Sequence, residues 1–305
     1  MSTDDGSRSP GYYGLPSLKG PVWTWEIPAY FFVGGAAGAA AVIASTARLA
    51  GARRELVRDA RWIAAVGGAI SPPLLIGDLG RPGRFLNMLR VFKIQSPMSV
   101  GAWTLVAFSN ASAAATFCDL VDRATHGRVP VRTIGNAAET LSAATGLVLS
   151  TYTGVLIGAT AIPAWSENVS ILPLHFAASG VGAAVSLLEL MGHRDRALNA
   201  LGGGAALVET IVGMQIEWRQ SEALMPLKHD TSGAITRLGG LLSGPLPLAL
   251  RILGGRSHRA RTVAAAATLV GSFLTRMGWL AAGRASAGRP GMSKNITGVR
   301  RPEER

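Results

Sequence analysis

Asp78 stands where an apolar stretch of the chain ends, and two guanidiniums follow it closely, in Gly77-Asp78-Leu79-Gly80-Arg81-Pro82-Gly83-Arg84-Phe85. A carboxylate placed where a helix leaves a bilayer can exchange protons with a lipid-soluble carrier such as a quinone. The alternative is local: Asp78 caps its own helix or pairs with Arg81 or Arg84 at the interface. Tyr12, Tyr13, Glu26 and Tyr30 are expected near the same face. Phenol hydroxyls can hydrogen-bond a quinone carbonyl, and Glu26 is a second group able to exchange protons. These residues make the first candidate site: Asp78 for proton exchange, with Tyr13, Glu26, Tyr30, Arg81 and Arg84 around the ligand. Arg90 and Lys93, farther along the same connection, are candidates for contact with a partner protein.

A second set of ionisable residues falls inside the apolar segments, where charge is costly and is functional or paired. Glu139 and Glu189 are expected toward one side of the membrane, Glu209 near its middle and Arg276 in the half nearer Asp78. Together they suit a proton path to the Asp78 region. An internal ion pair, Glu209 with Arg276 for example, explains them equally well. Of the five histidines, His126, His193, His229 and His258 fall in expected loops and His175 near the end of a span. Facing intramembrane ligand pairs for heme are therefore not expected. The single cysteine, Cys118, permits neither an internal disulfide nor a Cys-ligated cluster. No metal of the chain's own is expected, so metal centres for any redox role would belong to a partner.

The elements that must hold these residues are membrane helices. Only 16% of the residues are charged while 48% are hydrophobic, and the apolar residues come in blocks of roughly twenty, the length that crosses a bilayer. The expected fold class is all-α, a polytopic membrane bundle of about eight transmembrane helices. Spans are predicted at Ile27–Leu49, Ala60–Leu79, Ser99–Leu120, Gly135–Ile162, Ile171–Met191, Ala197–Ile216, Ile235–Leu253 and Val263–Ala282. Pro72-Pro73 is expected to bend or break the second, and Gly244-Pro245 with Pro247 to loosen the seventh. Residues 1–26 read as an extramembrane segment ending in interfacial Trp23 and Trp25, residues 27–283 as the bundle, and residues 284–305 as a basic tail. The polar start of the chain does not resemble a secretory leader.

The net charge of +12 is spread as Arg clusters between apolar blocks, which reads as topology signalling and argues against nucleic-acid binding. Loops on the Arg48–Arg61 side carry 14 basic residues against 9 opposite, with six more in the tail. Weighting early, short loops, this places both termini outside and the Arg48–Arg61 loop in the cytoplasm of a prokaryotic cell with the chain in its inner (plasma) membrane.

Several segments, in order along nearly the whole chain, resemble the NrfD/polysulfide-reductase membrane subunits. They are Tyr13-Gly14-Leu15-Pro16, Trp23-Thr24-Trp25-Glu26-Ile27-Pro28 with Tyr30-Phe31-Phe32, Asp78-Leu79-Gly80-Arg81-Pro82 with Arg84-Phe85, and Ser96-Pro97-Met98-Ser99. Thr151-Tyr152-Thr153-Gly154-Val155, Pro163-Ala164-Trp165, Leu274-Thr275-Arg276 and Ala282-Gly283-Arg284-Ala285-Ser286 continue the likeness. The resemblance implies a heme-free helix bundle that binds a quinone, menaquinone or ubiquinone, near the surface touching an iron–sulfur subunit of the four-cluster ferredoxin-like kind. It also implies a molybdopterin catalytic subunit in the complex, and proton movement in some members. By the resemblance the quinone site falls on Glu26, Tyr30 and Asp78, with Tyr13 just upstream. The chain departs from the family's Asn and His at the first-span position, offering Ile27 and Tyr30. Two other readings compete: a transporter that handles substrate or protons with buried carboxylates and no redox role, and a passive anchor for soluble subunits.

Overall fold

The computed structural model describes residues 20–81, 83–254 and 257–287. Tyr12 and Tyr13, and most of the basic tail, lie outside the described residues. The described chain is built from helices: α1 (Glu26–Leu49), α2 (Arg54–Asp78), α3 (Gly83–Leu89), α4 (Pro97–Ala124), α5 (Arg132–Gly158), α6 (Pro163–Ser166), α7 (Leu172–Leu190), α8 (Arg196–Trp218), α9 (Met225–Lys228), α10 (Asp230–Ser243), α11 (Pro245–Gly254) and α12 (His258–Ala287). Seven of them, α1, α2, α4, α5, α7, α8 and α12, are long and apolar enough to cross a membrane. The chain is a multi-pass helical membrane protein.

The expected seventh span is not one helix. It divides into α10 and α11 at Gly244, whose backbone departs from helical geometry immediately before Pro245. Pro245 and Pro247 lack the N–H groups that would continue the ladder, and here the helix yields. The two pieces nevertheless traverse the bundle along α12. Gly278 faces Thr236, Gly271 faces Ser243, and Gly254 faces Ala260. An eighth crossing thus exists, made in two parts.

Pro72 and Pro73, expected to bend or break the second span, do not break it: α2 runs through both. Pro72 cannot donate to the Gly68 carbonyl one turn back, but Ser109 on α4 donates its hydroxyl to that oxygen at 2.8 Å. A neighbouring helix thereby satisfies the carbonyl that proline frees.

The helices pack as two groups, α1, α2, α4 and α5 in one, and α7, α8, α10–α11 and α12 in the other, with α1 against both α5 and α7 at the centre. Small residues permit this approach. A Cβ on Gly146 of α5 would lie 2.7 Å from the Gly38 carbonyl oxygen, and one on Gly180 of α7 would lie 2.8 Å from that of Gly35. At one end sit Glu26, Asp78, α3, α6 and α9, which we name the Asp78 face. The opposite face carries Arg48, Arg61, Arg251 and Arg261.

Candidate functional site at the Asp78 face

Asp78 is the last residue of α2 and Glu26 the first of α1, so the antiparallel pair brings both carboxylates to one end. Thr24 joins them. Its backbone N–H and its hydroxyl lie 2.8 and 2.9 Å from Asp78 Oδ1, and the hydroxyl also meets Glu26 Oε2. A threonine hydroxyl has one proton, so it donates to one carboxylate at a time and accepts from the other when that one is protonated. The arrangement can hold and relay a proton between Asp78 and Glu26.

Tyr30 lies one turn below Glu26 on α1 and is 1% exposed. It packs at a tilt on Phe31 and neighbours Tyr152 of α5. The Tyr152 ring occupies the space that a side chain at Gly101 of α4 would need. Two phenols therefore stand beneath the two carboxylates, each from a different helix.

Arg81 and Arg84 are exposed, and among the described residues neither forms an ion pair with Asp78. Arg84 reaches back to the Leu79 carbonyl at 3.4 Å. Gly80, with φ +65°, takes the left-handed conformation that ends α2 and turns the chain away. Arg90 and Lys93 are exposed beside exposed Val91, Phe92 and Ile94. This stretch is pinned by Ser99, whose hydroxyl accepts from the Lys93 N–H at 3.0 Å and donates to the Val91 carbonyl at 3.2 Å.

The intramembrane charges fall into separate clusters. Glu139 is buried between Arg48 Nε, at 2.5 Å, and Arg61, and Arg61 also reaches Asp119 at 3.3 Å. Glu189 is buried between Arg251, which binds both its oxygens at 2.9 and 2.7 Å, and Arg261. Gly202 of α8 leaves the room that the Arg251 guanidinium fills. Glu209 pairs with no arginine among the described residues. Its Oε2 accepts from Ser243 at 2.8 Å and lies 3.7 Å from His175 Nε2. Arg276 donates to Ser179 Oγ at 2.7 Å and to the Ser272 carbonyl at 2.9 Å, and its guanidinium lies over the Phe176 ring. The ion-pair arrangement foreseen for Glu209 with Arg276 occurs instead at Glu139 and Glu189.

Some participants are not evident from the sequence. Thr24 is a threonine between two tryptophans, and only the fold brings it to Asp78. Trp23, expected in the headgroup layer with Trp25, stacks on buried Trp165 with centroids 5.6 Å apart, while Trp25 is exposed. Arg284 lies on the last turn of α12 and donates to the Trp23 carbonyl, closing the same corner.

Helices of membrane-crossing length define a multi-pass membrane protein, and Glu26 and Asp78 meet at one end of it. The family model for NrfD, polysulphide reductase, matches residues 16–201. The chain belongs to that family, whose members are membrane subunits of polysulphide and related reductase complexes. A comparison with curated proteins finds no match.

Proposed function

We propose that the chain is the quinone-reactive membrane subunit of a respiratory oxidoreductase, passing electrons between menaquinone or ubiquinone and an iron–sulfur partner docked on the Asp78 face. The observation that carries this reading is the Thr24 bridge between Asp78 and Glu26 above Tyr30. Oxidation of a quinol releases two electrons and two protons, and reduction of a quinone consumes them. The chain's part is to position the ring with Tyr30 and Tyr152, and to accept or return protons at Asp78 and Glu26 through Thr24. The electrons pass to, or come from, the four-cluster ferredoxin-like subunit, with a molybdopterin subunit completing the complex. In this reading the Asp78 face is outside the plasma membrane. The stretch carrying Arg90 and Lys93, basic and apolar together, suits contact with an acidic partner surface. Glu209, with its unpaired oxygen, is a better carrier for coupled proton movement than the arginine-clamped Glu139 and Glu189.

Asp78→Asn in the intact complex keeps the shape and one acceptor oxygen but removes the titratable group. Quinone-linked turnover should fall about 10²-fold, the scale of losing a general acid or base. Turnover with an artificial donor that bypasses the quinone should persist. Full quinone-linked activity in this variant would make Asp78 structural.

A further inference from the structure

A cavity lies in the other half of the bundle, away from Asp78. It occupies about 280 Å³ between α8, α10–α11 and α12. Exposed Met214 and Leu241 line it on helices that face lipid. Two glycines, Gly213 and Gly240, also line it, and an added Cβ at either would meet nothing within 4 Å. The space exists because side chains are missing from two neighbouring helices at the same place.

Its floor is polar and unsatisfied. His175 is 4% exposed and Glu209 2%, and both line the cavity. Neither His175 ring nitrogen has a hydrogen-bond partner in the protein, and the same holds for Glu209 Oε1, Thr275 Oγ1 and Trp279 Nε1. A buried polar atom left without a partner is costly, and five such atoms belong to four residues that line one small space. Such a concentration marks a place where a ligand supplies the partners.

The donors and acceptors define that ligand. Glu209 Oε1 needs a donor, Trp279 Nε1 offers one, and Thr275 and His175 can serve either way. A head group that both donates and accepts satisfies them. An anionic lipid head does not fit, because Glu209 forms the floor, and Arg237 at the mouth is already engaged by Glu217 at 2.7 and 3.0 Å. The apolar walls facing lipid call for a hydrocarbon tail. We propose that this cavity binds a lipid-soluble ring compound of the quinol class, whose hydroxyl groups both donate and accept, as a second site separate from the one at Asp78. The assignment rests on this cavity's own residues and does not require turnover at Asp78.

The test uses full-length protein in phosphatidylcholine vesicles, labelled under argon with a quinol whose alkyl tail carries a photoreactive diazirine. Label should appear in peptides of α8 and α10. Glu209→Gln removes the carboxylate that accepts the quinol O–H, and Gly213→Phe fills the space. Each should cut that labelling about tenfold or more, as expected for losing a charge-assisted hydrogen bond. Gly203→Phe, an open position on the same helix outside the cavity, should leave it unchanged and so controls for folding. Label at α8 and α10 without label at α1 and α2 supports this site and counts against the Asp78 reading. Label at α1 and α2 alone overturns the second site. Equal displacement by a photoreactive phosphatidylcholine, or labelling indifferent to both variants, also overturns it.

Discussion

At the scale of the residue, the chain uses its carboxylates in two ways. Thr24, Asp78 and Glu26 form a group whose contacts leave room for a proton to move. Removing the hydroxyl with Thr24→Val should slow quinone-linked turnover while Thr24→Ser retains it, a contrast measured by steady-state rates in the assembled complex. Glu139 and Glu189, by contrast, are each held by two arginines. Glu189→Gln leaves Arg251 and Arg261 buried without their counter-charge. It should destabilise the protein by about 3–5 kcal/mol, the usual cost of breaking a buried pair from one side. Thermal unfolding in detergent reads this, and replacing all three residues with apolar ones of similar volume should recover most of the loss. The sequence marked the carboxylates as important, since an acid in an apolar block is conspicuous. It hid their partners, because Arg48, Arg61, Arg251 and Arg261 read equally well as topology signals at helix ends. The same limit applied to Thr24, whose role depends on a contact 54 positions away.

At the scale of the element, hydrophobic length made the helices legible, and proline did not by itself reveal where they break. Two prolines leave α2 continuous, while Gly244-Pro245 divides α10 from α11. The difference lies in the neighbour: Ser109 supplies the hydrogen bond that Pro72 cannot. Ser109→Ala should cost about 1 kcal/mol, within the range of interhelical hydrogen bonds in membranes. In Pro72→Ala the restored N–H serves Gly68, so the same serine substitution should cost little there. A double-mutant cycle on thermal stability measures the coupling. The connection after α3 yields a separate expectation. Charge reversal at Arg90 and Lys93 should weaken recovery of an iron–sulfur partner, more so at low salt, as pull-down across a salt series would show.

At the scale of the whole molecule, two helix groups share a seam at α1 and α7 where Gly35 meets Gly180. Gly180→Val should force the groups apart and cost about 1–3 kcal/mol, as overpacking does, with Gly180→Ala milder. Reporter fusions at the C-terminus should be active only outside the cytoplasm, as the balance of basic residues predicts. The Glu189 clamp also bears on how the protein is made. Glu139 meets both of its arginines, Arg48 and Arg61, as soon as its own helix emerges, because both precede it in the chain. Glu189 must wait for Arg251 and Arg261, 62 and 72 positions later. During synthesis, then, α7 carries an uncompensated carboxylate until nearly the entire polypeptide has left the ribosome. A chain halted before Arg251 should be recognised as unfinished and degraded, and Glu189→Gln should prolong the life of that fragment. That outcome would make the clamp a mark of the finished chain.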